Sequence, residues 1–315
     1  MSLVMLPDRF ATLLHWIRER EKIRRLKESG APRPWTEDPI LAEWRFCCVN
    51  RCDDTVTRWI FRNVIEPHRD SPSLWLNLVI ARLVNWPDTL ARLGYFEAWD
   101  RDRFVRTIEG IDGKAWTGAY MIPAGPAGVG KARHLADATL SPLWAIRGEA
   151  PVNGTCAMWF DFICRAPSMG DFLTNQVVTD MKYTPVLAGA PDWSTFVMAG
   201  PGTQRGLNRL FGRELKRAWK REESQAALLV VREAVVRELP GMAGTMRDLN
   251  NLSNCFCELD KYERVRLGEG KPRARYVPAP RFPPYGWYPH PDAPGWFHNY
   301  KECLSEEQLR ARCAS

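Results

Sequence analysis

"GTMRDLNNLSNCFCELDKYERVRLGEGKPRARY", residues 244–276, sets the fold class. Wound as a helix, it places Leu249, Leu252, Phe256 and Leu259 in an apolar stripe at three- and four-residue steps. Beside that stripe runs a second row, Asp248, Asn251, Cys255, Glu258 and Tyr262, with Lys261 at its edge. Small, polar and ionisable side chains next to a core stripe make up either a cleft wall or a half-buried structural network, and both perturb titration.

Working outward, the same period recurs. Phe10, Leu13, Leu14, Ile17 and Ile23 form one face between Pro7 and Ser29, and Gly30 is a stop. Pro39 marks a helix start with Thr36 or Asp38 as its cap. Val56, Trp59, Ile60 and Val64 share a side until Pro67, and "SLWLNLVIARLVN", residues 73–85, is apolar nearly all round, as a buried helix is. Further helices are expected near 98–110, 131–146, 170–183, 205–220, 223–238, 245–266 and 304–312, and period-two strands are scarce. The expected class is mainly α. The expected organisation is an N-terminal helix (1–35), a helical catalytic domain (36–270) and a Pro/aromatic-rich strap with a C-terminal helix (271–315) packed on that domain.

The bulk numbers set outer limits. A chain of 315 residues has room for one large domain or two small ones. A net charge of +7 suits a polyanionic partner once the charge is shown to cluster. Nine cysteines, an odd number without a C-x-x-C pair, read as free thiols in a reducing cytoplasm rather than a metal or disulfide framework. The first residues lack the build of a signal peptide, and no apolar run is long enough to cross a bilayer.

"GPAGVGKA", residues 125–132, has the outline of a P-loop. It carries alanine at Ala132, where a hydroxyl should bind Mg²⁺, and no buried strand leads into it. It reads instead as a Gly/Pro loop entering a helix at Lys131. Four other stretches carry chemistry. Arg51, Asp54 and Arg58, at i, i+3 and i+7, share a face if helical, either to hold a phosphate around a carboxylate or as a surface ion-pair ladder. Gln176 and Asp180 form an i, i+4 pair. Gly200-Pro201-Gly202 opens a basic helix bearing Arg205, Arg209, Arg213, Lys216 and Arg217, which is either a tight turn or a place for a DNA phosphate at a helix N-terminus. The fourth is the polar row of residues 248–262.

In order along the chain, "RFCCVNRCDDTVT" (45–57), "WTGAYMI" (116–122), Gly170, Phe172, Gln176 and Asp180, "GPGTQRGL" (200–207) and "FCELDKYER" (256–264) resemble motifs of the alpha-glutamyl/putrescinyl thymine pyrophosphorylase family. That family includes the helical domain attached to phage 5-hydroxymethyluracil DNA kinases. The resemblance spans roughly residues 40–276. It departs at Cys48, where the family tends to have asparagine, with Asn50 two residues on.

The resemblance implies an all-helical fold like that of helix-hairpin-helix DNA glycosylases. It implies a phage enzyme of the host cytoplasm that hypermodifies thymidine in double-stranded DNA. An amino acid or polyamine displaces pyrophosphate from 5-(pyrophosphoryloxymethyl)uracil made by a 5-hydroxymethyluracil DNA kinase, with a divalent metal such as Mg²⁺ as a possible companion of the pyrophosphate. On that reading Arg51, Arg58 and Lys261 meet the leaving group's charge. Glu258, Asp54 or Asp180 takes the amine's proton. Gln176, Asp248, Asn251, Tyr262 and Arg264 position substrate, and Gly200, Gly202, Arg205 and Arg209 hold DNA. A base-excision enzyme and a non-catalytic DNA-binding module are the alternatives.

Overall fold

The computed structural model describes residues 4–276. In chain order the α-helices are α1 Pro7–Glu28, α2 Pro39–Glu43, α3 Thr55–Ile60, α4 Leu74–Val84, α5 Pro87–Leu93, α6 Arg101–Glu109 and α7 Lys131–Leu135. They continue as α8 Ser141–Ala145, α9 Cys156–Cys164, α10 Asp171–Met181, α11 Pro201–Leu210, α12 Arg221–Glu238, α13 Ala243–Met246 and α14 Leu249–Arg266. The described residues contain no strand, only an antiparallel bridge between Trp44 and Arg275. The mainly α class is as expected. No described helix is long and apolar enough to cross a membrane. Most of the expected strap, and the helix expected at 304–312, lie outside the described residues.

The described residues form two compact units, one taking residues 4–54 and 194–276 and the other taking 55–193. In the first unit the stripe of α14 is buried among Leu13, Trp16 and Ile17 of α1, Leu207 and Leu210 of α11, and Leu228 and Val231 of α12. Asp38 is the cap of α2, its Oδ1 accepting the amides of Ile40 (2.9 Å) and Leu41 (3.0 Å). The helix expected over 245–266 is broken. Asp248, extended at φ −82° and ψ 112°, ends the run from α13 and caps α14 by accepting the Asn250 amide. Residues 274–276 pair with the end of α2, where the Arg45 amide donates to the Ala274 carbonyl and the Tyr276 amide to that of Glu43.

The helix expected over 205–220 stops at Leu210. Gly212 takes φ +61°, and the buried Asn208 side chain turns the chain back by donating to the carbonyls of Leu215 and Arg217. Arg213, Lys216 and Arg217 therefore do not continue the helical face of Arg205 and Arg209. What α11 does present is small: a Cβ on Gly202 would sit 2.5 Å from Cys257 Sγ, and one on Gly206 would sit 2.4 Å from the Phe256 carbonyl oxygen. These glycines let α11 lie close against α14, where Thr203 donates to the Ser253 carbonyl at 2.8 Å. Gly206→Ala is expected to cost about 1–3 kcal/mol through backbone overpacking. An unchanged urea midpoint would show that the helices can part freely.

In the second unit α4 is buried on every side, as its composition predicts, and packs on α10. A π-helical turn, Phe61–Ile65, extends α3, and a 3-10 turn, Glu66–His68, follows around Pro67. α7, the π-helical turn Ala136–Leu140 and α8 together fill the span expected at 131–146. The Gly125–Gly130 loop enters α7 at Lys131, whose Nζ lies 4.6 Å from the centre of the Trp116 ring. Helices α5 and α9 were not anticipated from the sequence.

Candidate functional site

In the first unit the segment 46–54 is held by α1 and α14. Arg20 of α1 donates to the carbonyls of Cys47 (3.1 Å) and Phe46 (3.4 Å). From α14, Glu258 accepts the Cys47 amide at 2.9 Å, and the Asn254 amide group donates to the Cys48 carbonyl at 3.0 Å. Asn251 Oδ1 accepts the Arg51 amide at 2.8 Å, while its Nδ2 donates to the Thr245 carbonyl. The polar row of α14 is thus largely a clamp on a loop some two hundred residues earlier in the chain.

The turn it clamps carries Arg51 and Asp54. Asn50 caps a 3-10 turn, Arg51–Asp53, by accepting the Cys52 amide at 2.9 Å. Asp54 then leaves the helical region at φ −71° and ψ 132°, and α3 begins at Thr55. Arg51, Asp54 and Arg58 therefore do not share one helical face, because extended backbone separates the first two from Arg58. Arg58 lies on α3, in the second unit. Asp54 is half-buried.

Glu258 is 3% exposed and holds Lys261 Nζ at 2.7 Å from both oxygens. Burial opposes the charge on Lys261, but the Glu258 carboxylate outweighs it and raises the lysine's pKa. Lys261 therefore stays an ammonium, suited to a phosphate and unsuited to proton abstraction. The same carboxylate keeps the neighbouring Cys47 thiol well above its ordinary pKa. Burial pushes the Cys257 thiol up to about 11. Neither is a thiolate nucleophile near neutral pH.

Around α11, Asp260 is fully buried and accepts Arg205 Nε at 2.8 Å and Arg209 Nε at 3.0 Å, with Arg264 at 3.6 Å. Arg209 also binds Glu269 and is buried, so its guanidinium is committed within the fold. Arg205 and Arg264 keep an outer edge, with side chains 39% and 35% exposed. Gly200 is the cap residue of α11 with open space around its Cα, whereas Gly202 faces Cys257. Gly200, Arg205, Lys261 and Arg264 are the members of the expected set placed to meet an anion.

Tyr262 donates to Asp38 Oδ2 at 2.8 Å, and His15 Nε2 lies 2.8 Å from the same oxygen, beside an open cleft of about 330 Å³. Burial works against the charge on Asp38, but bonds from His15, Leu41, Tyr262 and Ile40 hold its pKa below the usual range. A depressed carboxylate pKa means stability present above the unfolded value and lost as pH falls through the folded one. Asp38→Ala should therefore cost about 1 kcal/mol near pH 6 and less at about pH 3. Urea midpoints at both values check this, and a pH-independent loss would refute it.

In the second unit three motif segments meet. Arg82, in the middle of apolar α4, donates to Asp180 through Nε (2.5 Å) and Nη2 (2.8 Å), and Nη2 also donates to Thr57 Oγ1 (2.9 Å). Its Nη1 donates to Asn85 Oδ1, and Asn85 Nδ2 is 3.5 Å from Thr117 Oγ1. Asp180 and Arg82 are both buried. Tyr120 donates to Gln176 Oε1 at 3.4 Å and packs edge-on against Phe172, while Met121 is 82% exposed. Arg82 escaped the sequence reading, although a lone arginine inside an apolar helix is the signal that finds it. Among the described residues no group of three or more His, Cys, Asp or Glu side chains is placed to hold a metal ion.

Residues 7–272 match the family described as 5-hmdU DNA kinase, helical domain. The chain is 25% identical over 209 residues to the 5-hmdU DNA kinase of Bacillus phage SP10, an alignment covering 58% of this chain and 33% of that protein. The chain thus spans about a third of the relative it matches. No solved structure matches it.

Proposed function

The chain belongs to the family of 5-hmdU DNA kinase helical domains, and from that membership we propose that it acts in the modification of thymidine in phage DNA. The reaction we infer is displacement of pyrophosphate from 5-(pyrophosphoryloxymethyl)uracil in DNA by the amine of an amino acid or polyamine. The observation that carries this reading is the pairing of the ordered motifs within each unit. Cys47 meets Glu258 and Gly202 meets Cys257, while Thr57 and Asp180 meet on Arg82 and Tyr120 meets Gln176. Lys261, held beside the clamped turn by Glu258, meets the leaving group's charge. Gly200 and Arg205 take DNA phosphate.

Of the three carboxylates considered as base, Asp180 and Glu258 are buried, while Asp54 is half-buried on a fixed turn. We assign the base to Asp54. Glu258 and Asn251 act as positioning residues for its loop, and Asp248 as the cap of α14.

The test is nucleoside mass spectrometry. DNA containing 5-hydroxymethyluracil is pyrophosphorylated by a cognate kinase, then incubated with the protein and a pool of amines. An amine adduct on the base with release of pyrophosphate is the expected result, and free base would identify an excision enzyme instead. A second reading, a DNA-binding module serving a kinase, draws on the burial of two of the three carboxylates. Tight DNA binding with unchanged nucleosides would favour it.

A further inference from the structure

Between α12 and α13 the first unit has an open cleft of about 570 Å³, lined by Arg232, Glu233, Val236, Arg237, Met246 and Arg247 among others. None of these is among the candidate site residues discussed above. Three guanidiniums converge on it, two from α12 and one from the end of α13, against a single carboxylate. Arg232 is steadied by donating to the Ser194 carbonyl at 3.3 Å. Arg237 and Arg247 are exposed.

Other arginines of the unit are held by carboxylates. Arg9 and Arg266 bind Glu263, Arg24 binds Glu21, Arg205 and Arg209 bind Asp260, and Arg213 binds Glu223. Among the described residues no carboxylate lies within ion-pair distance of Arg232, Arg237 or Arg247, even though Glu233 lines the same cleft. Like charges gathered around a concavity repel one another, and an anion there removes that repulsion. A guanidinium fork fits a pair of phosphate oxygens, and the apolar floor of Val236 and Met246 suits a sugar.

We propose that this cleft is a contact site for the phosphodiester backbone of DNA, separate from the amino end of α11. The inference rests on the reading that the chain acts on DNA. Exposed arginines in an open cleft hold a small free anion poorly against salt. They add to the binding of a polyanion through counterion release.

The experiment is fluorescence anisotropy of the full chain with a labelled duplex, between about 50 and 200 mM salt. Each lost contact lowers the slope of log K against log salt by about 0.9, so R237Q/R247Q should lose roughly 1.8. Affinity should fall alike for all duplex sequences, and R237K/R247K should keep the slope. Glu233→Gln should bind about two- to fivefold tighter at low salt, a gain that misfolding does not produce. An unchanged slope in R237Q/R247Q, with a reduced slope in Arg205→Gln, would overturn the cleft and leave the DNA reading standing. Loss of inorganic pyrophosphate binding in R237Q/R247Q with an unchanged DNA slope would overturn it in favour of a small-anion site. No salt-dependent duplex binding by the wild-type chain would overturn the DNA reading and this inference together.

Discussion

Asp180→Ala is expected to destabilise the second unit by about 3–5 kcal/mol, among the largest stability losses a single substitution here should cause. The Arg82 side chain is 1% exposed and that of Asp180 0%, and their two parallel bonds at 2.5 and 2.8 Å are bidentate. Removing the carboxylate strands a guanidinium inside α4, where among the described residues the neutral oxygens of Thr57 and Asn85 are what it still bonds. The positive charge can neither reach water nor be lost, because arginine does not deprotonate in proteins. Replacing both partners, as Arg82→Met with Asp180→Leu, should recover most of the loss, since apolar residues of similar volume often match a buried pair. Urea unfolding of the single and double variants measures this. If Asp180→Ala leaves the midpoint in place while abolishing adduct formation, Asp180 is the base and the present assignment fails.

The contrast between Arg82 and the basic face of α11 bears on what the sequence could reveal. Helical period is a local property, so the stripe of α14, the all-round apolar α4, the Asp38 cap and the start of α7 at Lys131 could all be read directly. The end of α11 could not, because it depends on Asn208 capturing carbonyls at 215 and 217. Partner choice is less local still. The row Asn251, Glu258 and Tyr262 was rightly placed at the edge of the core, yet its partners are Arg51, Cys47 and Asp38, about two hundred residues away. Arg205 and Arg209 looked like one DNA-facing set, but Asp260 binds both and only Arg205 keeps an outer edge. Gly202 looked like a phosphate-binding glycine, and its close approach is to Cys257. The division into two units left no trace in composition, because the first unit is built from both ends of the described chain and no Pro/Gly/Ser-rich linker marks the crossings at 54–55 and 193–194.

Asp54→Asn is expected to lower the rate of amine transfer by about 10²–10⁴-fold while leaving duplex affinity close to wild type. The magnitude is that of losing a positioned base, and the site has the means of positioning one. Backbone and side-chain bonds fix the turn that carries Asp54. Asn251 accepts the Arg51 amide, Asn50 accepts the Cys52 amide through its side chain and the Asp53 amide through its carbonyl, and the Asp54 amide donates to the Arg51 carbonyl. Asparagine keeps the size of the side chain and removes its ability to take a proton, so a lost rate with an intact fold isolates the chemistry. Asn251→Ala should act differently, loosening the turn without touching the acceptor. Its rate should fall by up to about 10²-fold through misplacement of the turn, and the pH dependence of the remaining activity should keep its wild-type form. The measurement is single-turnover appearance of the amine-adduct nucleoside at saturating DNA. Wild-type rates in Asp54→Asn would remove the carboxylate from the mechanism. Activity absent from every variant and from the wild-type chain, with DNA binding intact, would instead leave the chain as a binding module for a kinase.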